Sequence, residues 1–146
     1  MKALNTVKIQ LESRSVNEGY ARVAVSSFAS QLDPTVEEIN EIKTAVSEAV
    51  TNCIVHAYKN RVGKIYISVS ILENSVLEIK IRDRGCGIEN VKKAMEPLFT
   101  TGGEDRAGLG FSVMESFTDR VRVRSKAGVG TTVTLYKEIK GRASLV

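Results

Sequence analysis

The sequence predicts an α/β protein of two layers (α+β), in which helices cover one face of a mixed, mostly antiparallel sheet. Three observations support this class: a long amphipathic helical segment, a pair of alternating apolar and polar segments directly after it, and a second such pair near the end of the chain. The 146 residues suit one compact domain with its own core. We therefore expect a single domain over residues 1–146.

The first half of the chain predicts one strand followed by two helices. Residues 6–12 alternate as in a strand, and apolar side chains over residues 15–32 recur at helical spacing. Asp33 is a suitable N-cap and Pro34 a suitable first helical residue, so a long helix is predicted from there to about Tyr58. The apolar stripe of this helix comprises Val36, Ile39, Ile42, Val46, Ala49, Val50, Cys53 and Ala57.

The second half predicts two hairpins separated by glycine-containing loops and two helices. The predicted order is strands over 65–71 and 77–82, a short helix over 90–95, a loop over 96–109, a helix over 110–117, and strands over 120–125 and 131–138. The segment 96–109 shows no periodicity and contains one proline and three glycines, which is typical of an irregular loop.

The positive charge of the chain lies in its second half. The net charge is +4, to which residues 1–60 contribute −1 and residues 61–146 contribute +5. A basic surface there favours a phosphate-bearing ligand or an acidic partner. Arg120, Arg122 and Arg124 alternate with valines, and we interpret these three arginines as a solvated strand face.

Composition bounds the partners and the compartment. Aromatic residues make up 5% of the chain and tryptophan is absent, so we expect no stacking platform for single-stranded nucleic acid and no direct nucleic-acid partner. No apolar run is long enough to cross a membrane, and the N-terminus lacks the apolar core of a signal peptide. Cys53 and Cys86 form no metal-binding pattern. We therefore expect a cytoplasmic protein with no membrane contact.

The first motif that suggests chemistry is the pair of Glu48 and Asn52 on the predicted long helix. The two residues are four apart, so their side chains project from one helix face beside the apolar stripe. An asparagine carbonyl oxygen suits Mg²⁺, and a carboxylate suits the acceptance of a proton from an attacking hydroxyl. The alternative is a solvent-edge pair without a role.

The second motif follows a predicted strand and comprises Asp83, Gly85 and Gly87. A carboxylate at a strand end can accept a hydrogen bond from an exocyclic amine such as that of adenine. The two glycines permit a sharp turn and close approach of the backbone to a ligand. The alternative is an ordinary turn that contains an aspartate.

Two further glycine motifs lie towards the end of the chain. Gly108, Leu109 and Gly110 open a predicted helix shortly after Arg106, so backbone N–H groups and a guanidinium are available to phosphate oxygens. The alternative for this motif is a hinge. The segment GVGTT (128–132) lies in the last predicted hairpin, where a plain turn is the alternative.

The order and spacing of these motifs resemble the ATP-binding pattern of the Bergerat fold, which gyrases, chaperones, histidine kinases and mismatch-repair ATPases share. This resemblance extends from about residue 35 to residue 137. A narrower resemblance, to the sporulation anti-sigma F factors, which are serine kinases, covers nearly the whole chain. The segments that carry it are NEGYARVAVSSFASQLDPT (17–35), SEAVTN (47–52), IRDRGCGI (81–88), PLFTT (97–101), GLGFSVMESF (108–117) and GVGTT (128–132).

The resemblance implies a role for each motif residue. Glu48 matches the general base, Asn52 the Mg²⁺ ligand, and Asp83 the acid that reads the adenine amine. The other matched positions are Gly85 and Gly87 in the adenine pocket, Thr131 near the adenine, Thr100, Thr101, Arg106, Gly108, Leu109 and Gly110 in the ATP lid, and Arg22 on a partner-binding surface. Arg106 is expected to join Glu48 as a catalytic residue through the phosphates.

The resemblance also implies an activity and partners. ATP and Mg²⁺ are the expected cofactors, and a serine of a small anti-anti-sigma protein is the expected phosphate acceptor. A homodimer is expected to sequester a sporulation sigma factor, with residues 1–32 facing the partners and residues 96–109 forming the lid. His56 is expected to be structural. Gly102 departs from the family pattern, which usually has lysine at this position of the lid.

Three alternatives stay open at this point. One is a stress-response anti-sigma kinase of the same superfamily, which differs only in its partners. Another is a binding module that holds a nucleotide and a sigma factor without phosphotransfer; the presence of Glu48 argues against it. The last is an ATPase similar to gyrase, which is disfavoured because the chain ends soon after the last hairpin.

Overall fold

The computed structural model describes residues 1–96 and 107–145, and the side chains of these residues other than 107–109. Regular elements occupy most of this part of the chain. The strands and helices are β1 (Ala3–Glu12), α1 (Val16–Ala29), α2 (Val36–Asn52), β2 (Lys64–Leu72), β3 (Val76–Asp83), α3 (Val91–Ala94), α4 (Ala107–Phe117), β4 (Arg120–Lys126) and β5 (Gly130–Glu138). None of the described helices is long and apolar enough to cross a membrane.

The five strands form one sheet in the order β1-β2-β3-β5-β4. Each neighbouring pair in the described sheet is antiparallel, which confirms the predicted two-layer class and makes the sheet more uniform than the mixed one expected. The register places Asp83, the last residue of β3, directly between Ile65 of β2 and Thr131 of β5. This register brings the predicted aspartate motif beside the last hairpin.

One face of the sheet carries the core, and α1, α2 and α4 pack over it. Side chains of α2 such as Val46 and Val50 are fully buried in the same cluster as Ile65 and Ile81 of the sheet. Strand alternation turns the intervening side chains to the opposite face, where Lys80 and Arg82 are exposed. The predicted helical stripe is thus confirmed as core, apart from exposed Val36 and the partly buried Ile39 and Ala57.

Helix α2 begins later than predicted, because Thr35 and not Asp33 is its N-cap. The Thr35 side chain accepts from the Glu38 N–H at 3.0 Å, and the Glu38 carboxylate accepts from the Thr35 N–H at 3.0 Å. This capping box satisfies two donors reciprocally, whereas a single aspartate cap satisfies one. Asp33 instead has a left-handed backbone (φ 49°), and its carbonyl oxygen accepts from the Arg142 N–H at 2.8 Å.

The long helix continues to about Tyr58 as predicted, but its last turn, Cys53–Ala57, is a π-helix. The Tyr58 N–H reaches back five residues to the Cys53 carbonyl at 3.1 Å. This leaves the Ala57 carbonyl to accept from the Cys86 N–H at 3.0 Å. π-turns of this kind are frequent at functional sites, and this one ties the end of α2 to the loop that follows β3.

The Glu38 carboxylate also anchors the end of the chain to α2. It accepts from the backbone N–H groups of Lys140 at 2.7 Å and Gly141 at 3.1 Å, besides that of Thr35. Burial raises the pKa of Glu38, but these hydrogen bonds outweigh burial, so the pKa lies below its ordinary value near 4.5. The ionised form of Glu38 therefore stabilises the fold.

We predict that Glu38→Gln lowers the free energy of unfolding by about 1–3 kcal/mol at neutral pH, since backbone donors lose a charged acceptor. The loss is measured by urea denaturation of the mutant and the wild type. Because the folded-state pKa of Glu38 is lowered, its contribution is present above the unfolded pKa and disappears as the pH falls through the folded pKa. The difference between the two proteins should shrink over that acidic range.

Glu37→Gln is the matched control, because Glu37 is the exposed neighbour on the same helical turn. Its effect should stay within about 0.5 kcal/mol. Equal destabilisation by both substitutions would show that the hydrogen bonds of Glu38 have no special role.

Candidate functional site

A cavity of about 510 Å³ opens between the end of α2, the loop after β3, α3 and strand β5. This volume is within the range of small-molecule sites. Its walls combine apolar and polar groups. They comprise Ala49, Asn52, Cys53, His56, Ala57, Lys59, Asp83, Cys86, Gly87, Ile88, Glu89, Asn90, Lys93, Ala94, Phe111, Thr131 and Val133. An apolar cleft with a few convergent polar groups is typical of a nucleotide or cofactor site.

Asp83 is the buried carboxylate of this cavity, with 6% of its surface exposed. Its Oδ1 accepts from the Gly85 N–H at 2.9 Å and from the Thr131 N–H at 3.2 Å. Burial raises the pKa of Asp83 above its ordinary value, although hydrogen bonds from Gly85, Cys53 and Thr131 act in the opposite direction. The carboxylate orientation is thus fixed by the backbone, which leaves Oδ2 on the side of Cys53.

Cys53 lines the cavity next to Asp83, and sequence analysis placed it only in the apolar stripe. Its thiol donates to Oδ2 of Asp83 at 3.6 Å. Burial raises the pKa of the Cys53 thiol well above its usual value, and the neighbouring carboxylate raises the pKa further. The thiol therefore stays protonated at neutral pH and acts as a hydrogen-bond donor. The sequence did offer a signal for this role: Cys53 directly follows Asn52 and lies one helical turn after Ala49, so it projects towards the same region.

Glu48 and Asn52 lie side by side on α2, and Gly110 of α4 packs against both. A Cβ atom at Gly110 would lie 3.2 Å from Oε2 of Glu48 and 3.4 Å from Oδ1 of Asn52. The distance to Glu48 is tighter than most contacts of a Cβ atom, so glycine at position 110 lets α4 approach the pair closely. The predicted carboxylate and amide are therefore brought together with the predicted GxG motif.

The side-chain amide of Asn52 can donate a hydrogen bond to a group bound in the cavity. Its Nδ2 is buried and has no hydrogen-bond acceptor in the described part of the chain. A buried amide is costly unless it is paired, so a bound group with oxygen atoms would satisfy it. Among the described residues, no group of three or more acidic, histidine or cysteine side chains could hold a metal ion.

The loop after β3 is held against the last hairpin by close backbone contacts. Gly87 has a left-handed backbone (φ 74°), and a Cβ atom there would collide with the carbonyl of Lys126. The Gly128 N–H donates to the Cys86 carbonyl at 2.7 Å. These contacts form one wall of the cavity. The side chain of Thr131 is tied to Ser125 at 2.7 Å, which holds it in that wall.

The structure brings five of the predicted site residues together at one cavity. Asp83, Gly87, Asn52 and Thr131 line the cavity, and Glu48 lies beside it. The predicted lid residues Thr100, Thr101 and Arg106 lie outside the described residues. Gly108 and Leu109 are described only as helical backbone in the first turn of α4. Arg22 is on α1, does not line the cavity, and pairs with Glu18 at 2.6 Å.

Several wall residues were not predicted from the sequence. Ile88, Phe111 and Val133 supply apolar surface, and Asn90 and Lys93 supply polar groups from the start of α3. The Asn90 side chain accepts from the Lys93 N–H at 3.0 Å and caps that short helix. An Asn-x-x-Lys pattern is common, so nothing in the sequence alone marks it as part of a site.

Comparison with known proteins identifies the family. The family model described as histidine kinase-like ATPase domain matches residues 10–137. The anti-sigma F factor of Caldanaerobacter subterraneus subsp. tengcongensis is 54% identical over 140 residues, which cover 95% of this chain and 97% of that protein. The chain belongs to the anti-sigma F factor family. Another family member, from Priestia megaterium, is 49% identical over 143 residues, 97% of each chain.

Solved structures confirm the fold of this anti-sigma F factor family member. The RsbU and RsbW domains of Rv1364c from Mycobacterium tuberculosis match 92% of the chain and 32% of that protein, with a TM-score of 0.68 and 20% identity. The mycobacterial sensor histidine kinase MprB matches 91% of the chain and 99% of that protein, with a TM-score of 0.59 and 14% identity. The predicted Bergerat fold is thus confirmed, and the chain carries an ATP-binding domain.

We predict that Gly110→Ala weakens ATP binding about tenfold without lowering stability. Alanine favours a helix over glycine by up to about 1 kcal/mol, so the substitution should not unfold α4. The added methyl group requires the Glu48 carboxylate to shift by a few tenths of an ångström, and it fills the space between α4 and Asn52. Isothermal titration with Mg²⁺–ATP and thermal unfolding measure the two effects.

Gly19→Ala is the matched control, since an added Cβ at this α1 position meets no atom within 4 Å. It should raise stability by about 0.5–1 kcal/mol and leave ATP affinity unchanged. Unchanged ATP affinity in Gly110→Ala would contradict a role for Glu48 and Asn52 in nucleotide binding.

Proposed function

We propose that the protein is an anti-sigma factor that also phosphorylates a serine of a small anti-anti-sigma protein, with ATP as phosphate donor. One observation carries this proposal: Asn52 and Asp83 line the same cavity, and Glu48 lies next to Asn52, within one ATP-binding domain. Family members of about 50% identity bear the name anti-sigma F factor, and this favours a sporulation sigma factor over a stress-response one.

The base of ATP is assigned to the inner part of the cavity. Asp83 can accept from the adenine amine through Oδ2, because its Oδ1 is already committed to two backbone N–H groups. Apolar walls from Ile88, Phe111 and Val133 suit the faces of a purine. The thiol of Cys53 helps to keep Asp83 ionised, because it donates to the same oxygen.

The phosphates are assigned to the side of the cavity where Asn52 and the start of α4 lie. Mg²⁺, when bound, would neutralise phosphate charge, and Asn52 is the residue that would hold it. The backbone N–H groups of the first turn of α4 are oriented for an anion, as at other helix N-termini. Thr100, Thr101 and Arg106 are proposed to complete the phosphate contacts.

Glu48 is proposed as the base for the transfer. The serine hydroxyl oxygen would form a bond to the γ-phosphorus, the bond from that phosphorus to the β–γ bridging oxygen would break, and ADP would leave. The carboxylate of Glu48 would accept the serine proton. Its packing against Gly110 holds the carboxylate beside Asn52, so that the proton acceptor and the phosphate site share one wall.

The partner surface is proposed to lie on α1. Val16, Tyr20 and Val23 occupy one stripe of this helix, and each is more than half exposed. Exposed apolar side chains at helical spacing commonly mark an interface. Arg22 lies beside this stripe with 44% of its side chain exposed. We propose that this surface serves both the homodimer and the sigma factor.

We predict that Glu48→Gln lowers serine phosphorylation by about 10²–10⁴-fold while ATP affinity stays within about threefold, because only the proton acceptor is lost. The assay mixes the protein with Mg²⁺, γ-labelled ATP and the anti-anti-sigma protein of the same organism. Acid-stable label on a serine, lost in the mutant, would support both the kinase and its base.

Glu37→Gln on the same helix is the control and should leave the labelling rate unchanged, since Glu37 does not line the cavity. Acid-labile label would indicate histidine chemistry instead. An absence of label with ATP still bound would overturn the kinase proposal and leave a non-catalytic ATP-gated module.

We further predict that Arg22→Ala weakens sigma-factor binding at least tenfold and leaves ATP affinity unchanged, because Arg22 lies on α1 away from the cavity. Fluorescence anisotropy with a labelled sigma factor measures the change. Arg142→Ala, at another exposed arginine that lies outside residues 1–32, should have no effect. If the Arg22 mutant and the wild type bind the sigma factor with equal affinity, the proposal that α1 forms the partner surface is wrong.

A further inference from the structure

The sheet face opposite the helices has a higher net positive charge than the chain as a whole. We define this outer face as three rows of residues, each of which crosses the sheet from β1 to β4 with one residue per strand. The rows run from Gln10 to Arg124, from Lys8 to Arg122 and from Thr6 to Arg120. Its basic side chains, all exposed, are Lys8, Lys80, Arg82, Arg120, Arg122 and Arg124. Glu78 is its one acidic side chain, so the outer face has a net charge of +5, against +4 for the chain.

The charges of the outer face are regularly spaced. They lie on β1, β3 and β4, which are separated by β2 and β5, so neighbouring charged strands are roughly 10 Å apart. Along β4, Arg120, Arg122 and Arg124 repeat at about 7 Å. The intervening strands supply hydroxyl groups, such as those of Ser68 and Thr132. Arginine, lysine and hydroxyl side chains are the groups that contact phosphate and sugar in nucleic-acid complexes.

Local contacts hold some of these guanidinium groups without neutralising them. The guanidinium carbon of Arg82 lies 4.6 Å from the centroid of the Tyr66 ring, and that of Arg120 lies 5.7 Å from the centroid of the Tyr136 ring. Such stacking orients an arginine but leaves its charge available. Glu78, the acidic residue of this face, pairs with Lys80 and not with an arginine of the face, at 3.9 Å between Oε1 and Nζ among the described residues.

Protection of a sheet edge does not explain this pattern. Charged side chains on an edge strand discourage pairing with other chains, which accounts for arginines on β4. Lys80 and Arg82, however, lie on β3, the central strand of the sheet. Positive charges separated by about a Debye length or less repel one another, so this clustering costs stability unless an anion is bound.

A protein partner is also a poor fit to the outer face. Stable protein interfaces have an apolar core with a depleted charge content, and the three rows contain no aliphatic residue. Nucleic-acid interfaces, in contrast, are polar and strongly positive. The sequence-based expectation of no nucleic-acid partner relied on the scarcity of aromatic rings, which phosphate contact does not require.

We propose that the outer face binds the phosphate backbone of duplex nucleic acid without reading its sequence. This surface is on the opposite side of the sheet from the helices, so it is independent of the nucleotide cavity. Its use would hold the protein near the chromosome, where sigma factors act with their polymerase.

The test compares Arg122→Gln/Arg124→Gln with the wild type in fluorescence anisotropy, using a labelled DNA duplex of about 20 base pairs at several salt concentrations. Non-specific binding in the range of about 10⁻⁶–10⁻⁴ M is expected near physiological salt. Loss of two phosphate contacts should make the slope of log affinity against log salt shallower by about 2. ATP affinity of the double mutant should match that of the wild type, which shows that the fold is intact.

Arg14→Gln/Arg142→Gln is the charge-matched control, because both arginines are more than half exposed and lie outside the outer face. It should keep the wild-type slope. Equal losses in the two double mutants, or an absence of DNA binding at about 50 mM salt, would overturn the proposal. Tighter binding of polyglutamate than of DNA would also overturn it and indicate an acidic polypeptide as the partner.

Discussion

The carboxylate of Asp83 receives hydrogen bonds from three separate parts of the chain: the loop at Gly85, strand β5 at Thr131, and the end of α2 at Cys53. An ionised group in a buried position needs such donors, and their loss would leave an uncompensated charge. The three elements therefore cannot shift independently. The floor of the cavity, the register of β3 against β5 and the position of the π-turn after α2 all depend on this one group.

Helix α2 connects the part of the cavity around Asp83 to the pair of Glu48 and Asn52. Its N-terminus is fixed by the capping box of Thr35 and Glu38, and Glu38 also binds the backbone after β5. Its C-terminus is fixed through the Ala57 carbonyl, which accepts from Cys86. Glu48 and Asn52 lie between these anchors. Because both ends are tied to segments that directly follow sheet strands, the two side chains have a rigid support, which the proposed role of Glu48 as a base requires.

Periodicity was sufficient to predict the strands, the helices and the pairing of Glu48 with Asn52, since spacing along a helix determines its face. Motif order then predicted that Asp83 and Thr131 share a site, and the register confirms that they are laterally paired. The prediction of Asp33 as N-cap was wrong because it used the capping propensity of one residue alone. The reciprocal hydrogen bonds between Thr35 and Glu38 place the N-cap at Thr35. The roles of Cys53 and Phe111 depend on tertiary contacts that local patterns do not encode.

The two cysteines have opposite environments, and this gives the molecule a ready chemical handle. Cys53 is buried with a protonated thiol, whereas Cys86 is exposed at the wall of the cavity. Thiol reagents act on accessible thiolates, so a maleimide dye would attach at a single position in the unmodified chain. A fluorophore there would lie at the wall of the cavity, next to the proposed adenine site, and would report nucleotide exchange at that site without engineered cysteines.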